Sequence, residues 1–350
     1  ANQPLLIERP YKSSFRFRTA YPVLFRYYQL MGRFPKLGIL LLRQNEREKG
    51  VFRFAGSSTA LDLIYDYPGF LGALLENKGN PWPAFWSWLH ENCLNARDVR
   101  FRTWIAADLL TAAMQGGARN IVDLAAGSAR APWLAIARTG FAGQLVLVDH
   151  AIHSVFNQYL AAANTRQLVN VPIEPALVLN QDGLKNGSLK KIMTRAEELR
   201  IKLNRQLGLH LTSAEFIDST PVQPGTLYKR IRAGARIIPI VGNAQDLSPF
   251  LRDWHLFDVA STFGFLDYLL PEETISYLTR TKPLLRSGAV LMTALMAPNP
   301  EIDEPGKPSY VRKVPWHVAE TKMGLVLKPK SPEEFALMVE TAGYKVERLL

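Results

Sequence analysis

The sequence has few of the residues and patterns that mark several familiar classes of protein. It contains a single cysteine, Cys93, which excludes an internal disulfide framework and a cysteine-rich zinc site. Its longest apolar runs, such as residues 37–42, are far shorter than the roughly 20 residues of a membrane-spanning helix. The first residues show no apolar stretch followed by a cleavage site, so no signal peptide is predicted. These absences favour a cytoplasmic, soluble protein.

The net charge of +11 is concentrated in two segments of the chain. Residues 9–53 carry a net charge of +9 and residues 185–236 carry +7, so the remainder is acidic overall. Such segments attract nucleic acid, anionic lipid or an acidic partner, but a solvated basic surface is an equally good interpretation. We therefore do not favour nucleic acid or a membrane surface as the partner, although both segments allow it.

The pattern of apolar residues predicts an α/β fold. Strands alternate with helices after the first hundred residues, which is typical of a parallel sheet with helices on both faces. A helix that begins after Ser331, followed by a final short strand, is predicted at the end of the chain. The other strands are predicted from near-continuous apolar runs at residues 120–125, 144–149, 236–242, 257–263 and 289–295.

Two regions stand outside this alternating pattern. Residues 1–96 read mainly as helices rich in aromatic residues, and we interpret them as a cap, lid or dimerisation region. Residues 97–350 form the α/β domain, with a long basic helical insertion at about 165–235. The apolar stripe of a helix that begins after Ser188 is more consistent with core packing than with a lid over a ligand.

The turn after the first predicted strand is built from small residues. Asp123 is followed by "LAAGSARA", where Ala125, Gly127 and Ser128 leave the backbone open to a close ligand. The N–H groups at the start of the next helix suit an electron-rich group. A dinucleotide site would have three glycines in this turn, and only Gly127 is present, so the sequence does not favour NAD.

Three acidic residues suit a nucleoside that carries a positively charged tail. Asp149, at the end of the second strand, is placed to accept hydrogen bonds from both ribose hydroxyls. Asp246, just after the third strand, is placed to accept from an adenine amino group. Asp123 lies under the turn, where its charge orients an α-amino group directly or through water.

This order of features resembles the class I S-adenosylmethionine-dependent methyltransferases. The resemblance runs from about Arg97 to the C-terminus and rests on "VDLAAGSAR", "LVLVDH" and "VGNAQDL", followed by the fourth and fifth strands and the last helix. It implies a Rossmann-like fold with a mostly parallel seven-stranded sheet, and S-adenosyl-L-methionine as cofactor. The cofactor-binding residues that it implies are Asp123, Ala125, Gly127, Ser128, Arg130, Asp149, His150, Asn243, Ala244, Asp246 and Thr262.

The resemblance implies methyl transfer to a small, hydrophobic or aromatic metabolite in a biosynthetic reaction, with oxygen as the favoured acceptor atom. The candidate catalytic residues are Asp267 and Tyr268, after the fourth strand, and His317, after the fifth. For Asp267 a helix N-cap role is an equally good interpretation, and for His317 a packing role is the stronger one. No metal-ligand spacing occurs, so no metal is predicted.

Several alternatives remain open at this stage. The first is an RNA methyltransferase that uses the basic segments, and the second is a degenerate cofactor-binding partner protein that regulates another complex. A homodimer through the N-terminal helices is also left open by the sequence. A dehydrogenase is the weakest interpretation because the turn lacks the glycines.

Overall fold

The computed structural model describes most of the α/β region and parts of the rest. The described residues are 69–91, 94–164, 173–179, 189–218, 236–244, 256–295 and 330–347, with single residues between these ranges. Of the first 60 residues only Arg26 and Phe34 are described, so most of the predicted helical region at residues 1–96 lies outside the described residues.

The chain divides into two compact units. The first comprises residues 1–101, 267–270 and 295–350, and the second residues 102–266 and 271–294. The domain boundaries inferred from the sequence stay a prediction. The helices, in chain order, are α1 (Gly69–Glu76), α2 (Pro81–Glu91), α3 (Leu94–Gln115), α4 (Arg130–Thr139), α5 (Ile152–Asn164), α6 (Leu189–Leu207), α7 (Ser213–Phe216), α8 (Pro271–Thr281) and α9 (Pro332–Thr341).

The second unit is built around a seven-stranded sheet, as the sequence predicts. The order of its strands is β4-β3-β5-β2-β1-β6-β7, and every pairing is parallel. The carboxyl ends of all strands therefore lie at one edge, where open α/β sheets bind their ligands. The strands are β1 (Asn120–Leu124), β2 (Gln144–Asp149), β3 (Ala176–Val178), β4 (Ile217–Asp218), β5 (Ile237–Val241), β6 (Phe257–Phe263) and β7 (Leu285–Ala294).

Two of the seven strands, β3 and β4, are not predicted from the sequence. β3 and β4 come from the segment that we interpreted as a helical insertion, and they extend the sheet beyond β5. The sequence also predicts a short final strand after Gly343. That prediction is wrong for the described residues, because residues 344–347 form no strand. Strands of two and three residues carry too few side chains for an alternating or continuous apolar pattern to show.

Apolar side chains cover both faces of the sheet. On one face Ile121, Leu145 and Val259 belong to a cluster with Leu110 of α3 and Trp133 of α4. This continuous burial explains why the strands read as apolar runs. On the other face the completely buried side chains are Val122, Leu124, Val146, Val148, Ile238 and Ile240.

The apolar side of α6 packs into a second core cluster. Ile192, Leu199 and Leu203 are buried there together with Phe156 of α5 and Phe216 of α7. The stripe is therefore part of the core, which confirms the packing interpretation and excludes a lid role for that side of the helix.

The ends of the helices follow the local sequence. The predicted cap of α9 is confirmed, because the Ser331 hydroxyl accepts from the Glu334 N–H and the Glu334 carboxylate accepts from the Ser331 N–H. α4 ends at Gly140, whose φ of 60° only glycine adopts without cost. Within the described residues, no helix has the length and hydropathy needed to cross a bilayer.

Candidate functional site

The turn after β1 has a left-handed backbone at three alternate positions. Ala125, Gly127 and Ala129 have φ of 55°, 55° and 54°. This conformation is free of strain for glycine but costs alanine about 1–2 kcal/mol. Ala129 is also at the N-cap position of α4, where its methyl side chain cannot accept a hydrogen bond from the first N–H groups of the helix. The chain therefore keeps a backbone suited to three glycines while two of the three are alanine.

Replacing Ala125 with glycine is expected to raise the free energy of unfolding by about 0.5–1 kcal/mol, because relief of the left-handed strain exceeds the extra entropy of the unfolded chain. At Ala129 the same change should be nearly neutral, since that methyl is buried in the core and its loss costs about 0.8 kcal/mol. Gly127→Ala is the reverse control and should destabilise by about 1 kcal/mol. Urea unfolding of the three variants gives the values, and a destabilised Ala125→Gly would contradict the left-handed assignment.

The carboxylate of Asp149 ties this turn to the end of β2. Its Oδ2 accepts from the Gly127 N–H at 2.9 Å, and its Oδ1 accepts from the Ala151 N–H at 3.1 Å and the Ser154 hydroxyl at 2.8 Å. His150 Nδ1 lies 3.3 Å from the same Oδ1. A carboxylate has about four acceptor positions, so these three donors leave one free position, on Oδ2.

Asp123 lies at the carboxyl end of the neighbouring strand. It is opposite Ser261 of β6, whose hydroxyl donates to Asp123 Oδ1 at 2.6 Å. Burial raises the pKa of Asp123 to about 7, against the lowering effect of the Ser261 hydrogen bond, and the negative charge of Asp149 raises it further. Burial therefore favours the protonated form of Asp123, and a cation beside it would favour its charged form.

Two further residues of this region were missed by the sequence analysis. Gln158 of α5 donates from Nε2 to the Gly127 carbonyl at 3.0 Å, while its buried Oε1 has no partner in the described part of the chain. Arg102 of α3 lies against Gly264, just beyond β6, where an added Cβ would be 2.5 Å from Arg102 Nη2. A polar residue inside an apolar helix was the available signal for Gln158, whereas nothing in the sequence places Arg102 there.

The structure brings together only part of the predicted cofactor-binding set. Ser128 is buried within the turn, and Arg130 is the first residue of α4. The Gly242 N–H donates to the Asp149 carbonyl at 2.8 Å, which places the start of the loop with Asn243 and Ala244 beside β2. Asp246 lies outside the described residues.

Thr262 belongs to the opposite face of the sheet from Asp123. It follows Ser261, which faces Asp123, and successive side chains of a strand alternate between faces. Its hydroxyl is buried and unpartnered among the described residues, and the same holds for the hydroxyl of Thr293, its register partner on β7.

Two of the three predicted catalytic residues, Asp267 and Tyr268, lie within the described part of the chain. Asp267 is buried and Tyr268 is partly exposed, both in a short 3-10 turn at Leu266–Tyr268. Because α8 begins at Pro271, four residues later, Asp267 is not the N-cap of that helix, and the N-cap interpretation is wrong. His317 lies outside the described residues, among which no group of three or more potential ligands is placed to hold a metal ion.

The polar groups at this edge of the sheet fit a nucleoside with a cationic amino-acid tail. Asp149 offers a hydrogen-bond acceptor, and Asp123 offers a buried carboxyl group that a neighbouring cation would ionise. The uncapped start of α4 offers N–H groups to a carboxylate. The small turn residues leave the backbone accessible. These are the groups that S-adenosylmethionine would require.

Comparison with known proteins finds distant structural similarities. No family model matches the sequence, and no curated protein matches it. One similar solved structure is a possible exported protein from Bordetella parapertussis, 13% identical, with a TM-score of 0.43, covering 97% of this chain and 93% of that one. Another is an O-methyltransferase family protein from Burkholderia thailandensis, 12% identical, with a TM-score of 0.38, covering 95% and 68%. Neither likeness indicates what this chain binds.

Proposed function

We propose that the chain binds S-adenosylmethionine at the carboxyl ends of β1 and β2 and transfers its methyl group to a small molecule. The observation that carries this proposal is the pair of buried acids, Asp123 and Asp149, at the ends of adjacent parallel strands. The Gly127 N–H joins Asp149 to the small-residue turn between them. Two acids at one strand edge suit a ligand with hydroxyl groups and a positive charge, and they disfavour a pyrophosphate.

Each residue has a definite role in this proposal. The free acceptor position of Asp149 takes one ribose hydroxyl, and Asp123 stabilises the α-ammonium group. The start of α4, with Ser128 and Arg130, takes the carboxylate. Asn243 and Ala244, after β5, contact the adenine, and Asp246, which lies outside the described residues, is the candidate acceptor for its amino group. His150 lies beside the ribose, next to the Asp149 carboxylate.

The cofactor itself supplies an electrophilic methyl group on a sulfonium, so the protein is not required to activate it. The residues of the chain have to align the acceptor atom with that methyl and exclude water. We favour oxygen as the acceptor atom and a hydrophobic or aromatic substrate. If a base assists, Asp267, Tyr268 and His317 are the candidates.

Equilibrium dialysis of the purified chain with labelled S-adenosylmethionine tests the proposal. We expect micromolar binding, competition by S-adenosylhomocysteine and none by NADH. Binding of NADH instead would overturn the proposal in favour of a dehydrogenase. Binding without methyl transfer to any of a panel of phenols, catechols and carboxylates would favour a regulatory cofactor-binding protein.

A further inference from the structure

The exposed side of α6 carries a line of positive charges, which we name the α6 ridge: Lys191, Arg195, Lys202 and Arg205. These residues are spaced at i, i+4, i+11 and i+14, so they share one side of the helix. From the first to the last, the ridge extends about 21 Å along the axis. All four side chains belong to exposed residues.

The positive charge of the ridge is only partly neutralised. The helix has six basic and two acidic residues, a net charge of +4. Both acidic side chains form ion pairs within the helix. Glu198 pairs with Arg195, and Glu197 pairs with Arg200 on another side of the helix. Among the described residues, Lys191, Lys202 and Arg205 form no ion pair with a carboxylate.

Two side chains of α5, Phe156 and His153, lie beside the ridge. Lys202 Nζ lies 5.1 Å from the ring centroid of Phe156, and the His153 ring is 5.5 Å from the same ring. Burial lowers the pKa of His153, and the charges of Arg195 and Lys202 lower it further. Arg195 and Lys202 therefore both raise the positive potential at His153, which favours the neutral form of that side chain.

The chemistry of α6 decides which anionic partner fits. A helix that binds a membrane must leave its apolar side exposed, but the apolar side of α6 is buried in the core. Protein interfaces are centred on apolar and aromatic side chains. Among the α6 residues whose burial is described, Ile201 is the single large apolar residue that is exposed. A linear array of cations without apolar surface suits an anionic polymer, which is held by its phosphates alone.

We propose that the α6 ridge binds the phosphate backbone of a nucleic acid strand, without reading its sequence. Lys191, Lys202 and Arg205 contact phosphates, while Arg195, which is paired with Glu198, contributes less. This surface does not depend on the cofactor site, so either proposal can fail without the other.

Fluorescence anisotropy with a labelled 20-nucleotide single-stranded RNA tests the ridge. One variant combines Lys191→Gln, Lys202→Gln and Arg205→Gln. Its matched control combines Lys78→Gln, Arg280→Gln and Lys345→Gln, three exposed residues elsewhere whose loss changes the net charge equally. Each lost phosphate contact should reduce the steepness of the plot of log K against log salt by about 0.7. The ridge variant loses three contacts, so its slope should be shallower by about 2. Its affinity at 0.1 M salt should be roughly 100-fold lower.

The control variant should lose no more than a few-fold in affinity, with an almost unchanged salt slope. Equal losses in the two variants would overturn the proposal, because net charge alone would then explain binding. Absence of RNA binding would overturn it as well. Ridge-dependent binding to phosphatidylserine vesicles in place of RNA would assign the surface to a membrane.

Discussion

Replacing Asp123 with asparagine is expected to stabilise the protein above neutral pH and to change its stability little below about pH 4. The folded-state pKa of about 7 lies above the ordinary value of 3.8, so the bound proton stabilises the fold fully below about pH 4. That contribution is lost as the pH rises to 7, where burial of the ionised carboxylate opposes folding. Asparagine stays neutral, so its advantage over aspartate should grow by roughly 2 kcal/mol between pH 5 and pH 8.

Urea unfolding of the wild type and the variant at several pH values measures this difference. Ser261→Ala is the matched comparison, because it removes the hydroxyl that lowers the pKa of Asp123. In that variant the loss of stability with rising pH should continue to a higher pH than in the wild type. A constant difference between Asp123→Asn and wild type from pH 5 to pH 8 would show that Asp123 has an ordinary pKa.

Replacing Asp149 with alanine is expected to lower the affinity for S-adenosylmethionine by at least about 100-fold and to destabilise the fold by about 3 kcal/mol. The change removes the proposed acceptor for the ribose. It also leaves three donors without their partner: the N–H groups of Gly127 and Ala151 and the hydroxyl of Ser154. Unsatisfied donors in a nearly buried site account for the loss of stability.

Ser154→Ala provides the control for that variant. It removes one of the donors to the same carboxylate but leaves the free acceptor position on Oδ2 unchanged. Its affinity for S-adenosylmethionine should stay within a few-fold of wild type. Equal losses in the two variants would show that the affinity depends on the conformation of the turn and not on the Asp149 carboxylate.

The central strands of the sheet could be predicted because each is buried on both faces. The predicted bounds of β2 and β6 are exact, and those of β1 and β5 differ by one residue at the ends. β3 and β4 were missed, since two or three residues between polar segments carry no recognisable period. Their place in the sheet depends on contacts with β5 that are remote in the chain.

The candidate site was predicted in part for the same reason. Asp123 and Asp149 were found because each lies at the end of an apolar run, which is a local signal. The raised pKa of Asp123 follows from its burial in the folded chain, and the Ser261 hydroxyl, which lowers this pKa, lies 138 positions away in the sequence. The alanines of the turn suggested a departure from a glycine-rich backbone, whereas the structure retains the left-handed conformation at Ala125 and Ala129.

The most direct test of the central claim is a calorimetric titration with S-adenosylmethionine at pH 7, repeated in two buffers of different ionisation enthalpy. If the cationic ligand binds beside Asp123, the Asp123 carboxyl group must ionise, and a fraction of a proton should be released for each molecule bound. Asp123→Asn should bind more weakly and release none. Absence of binding in both buffers, or binding by the wild type with no release of protons, would contradict the account.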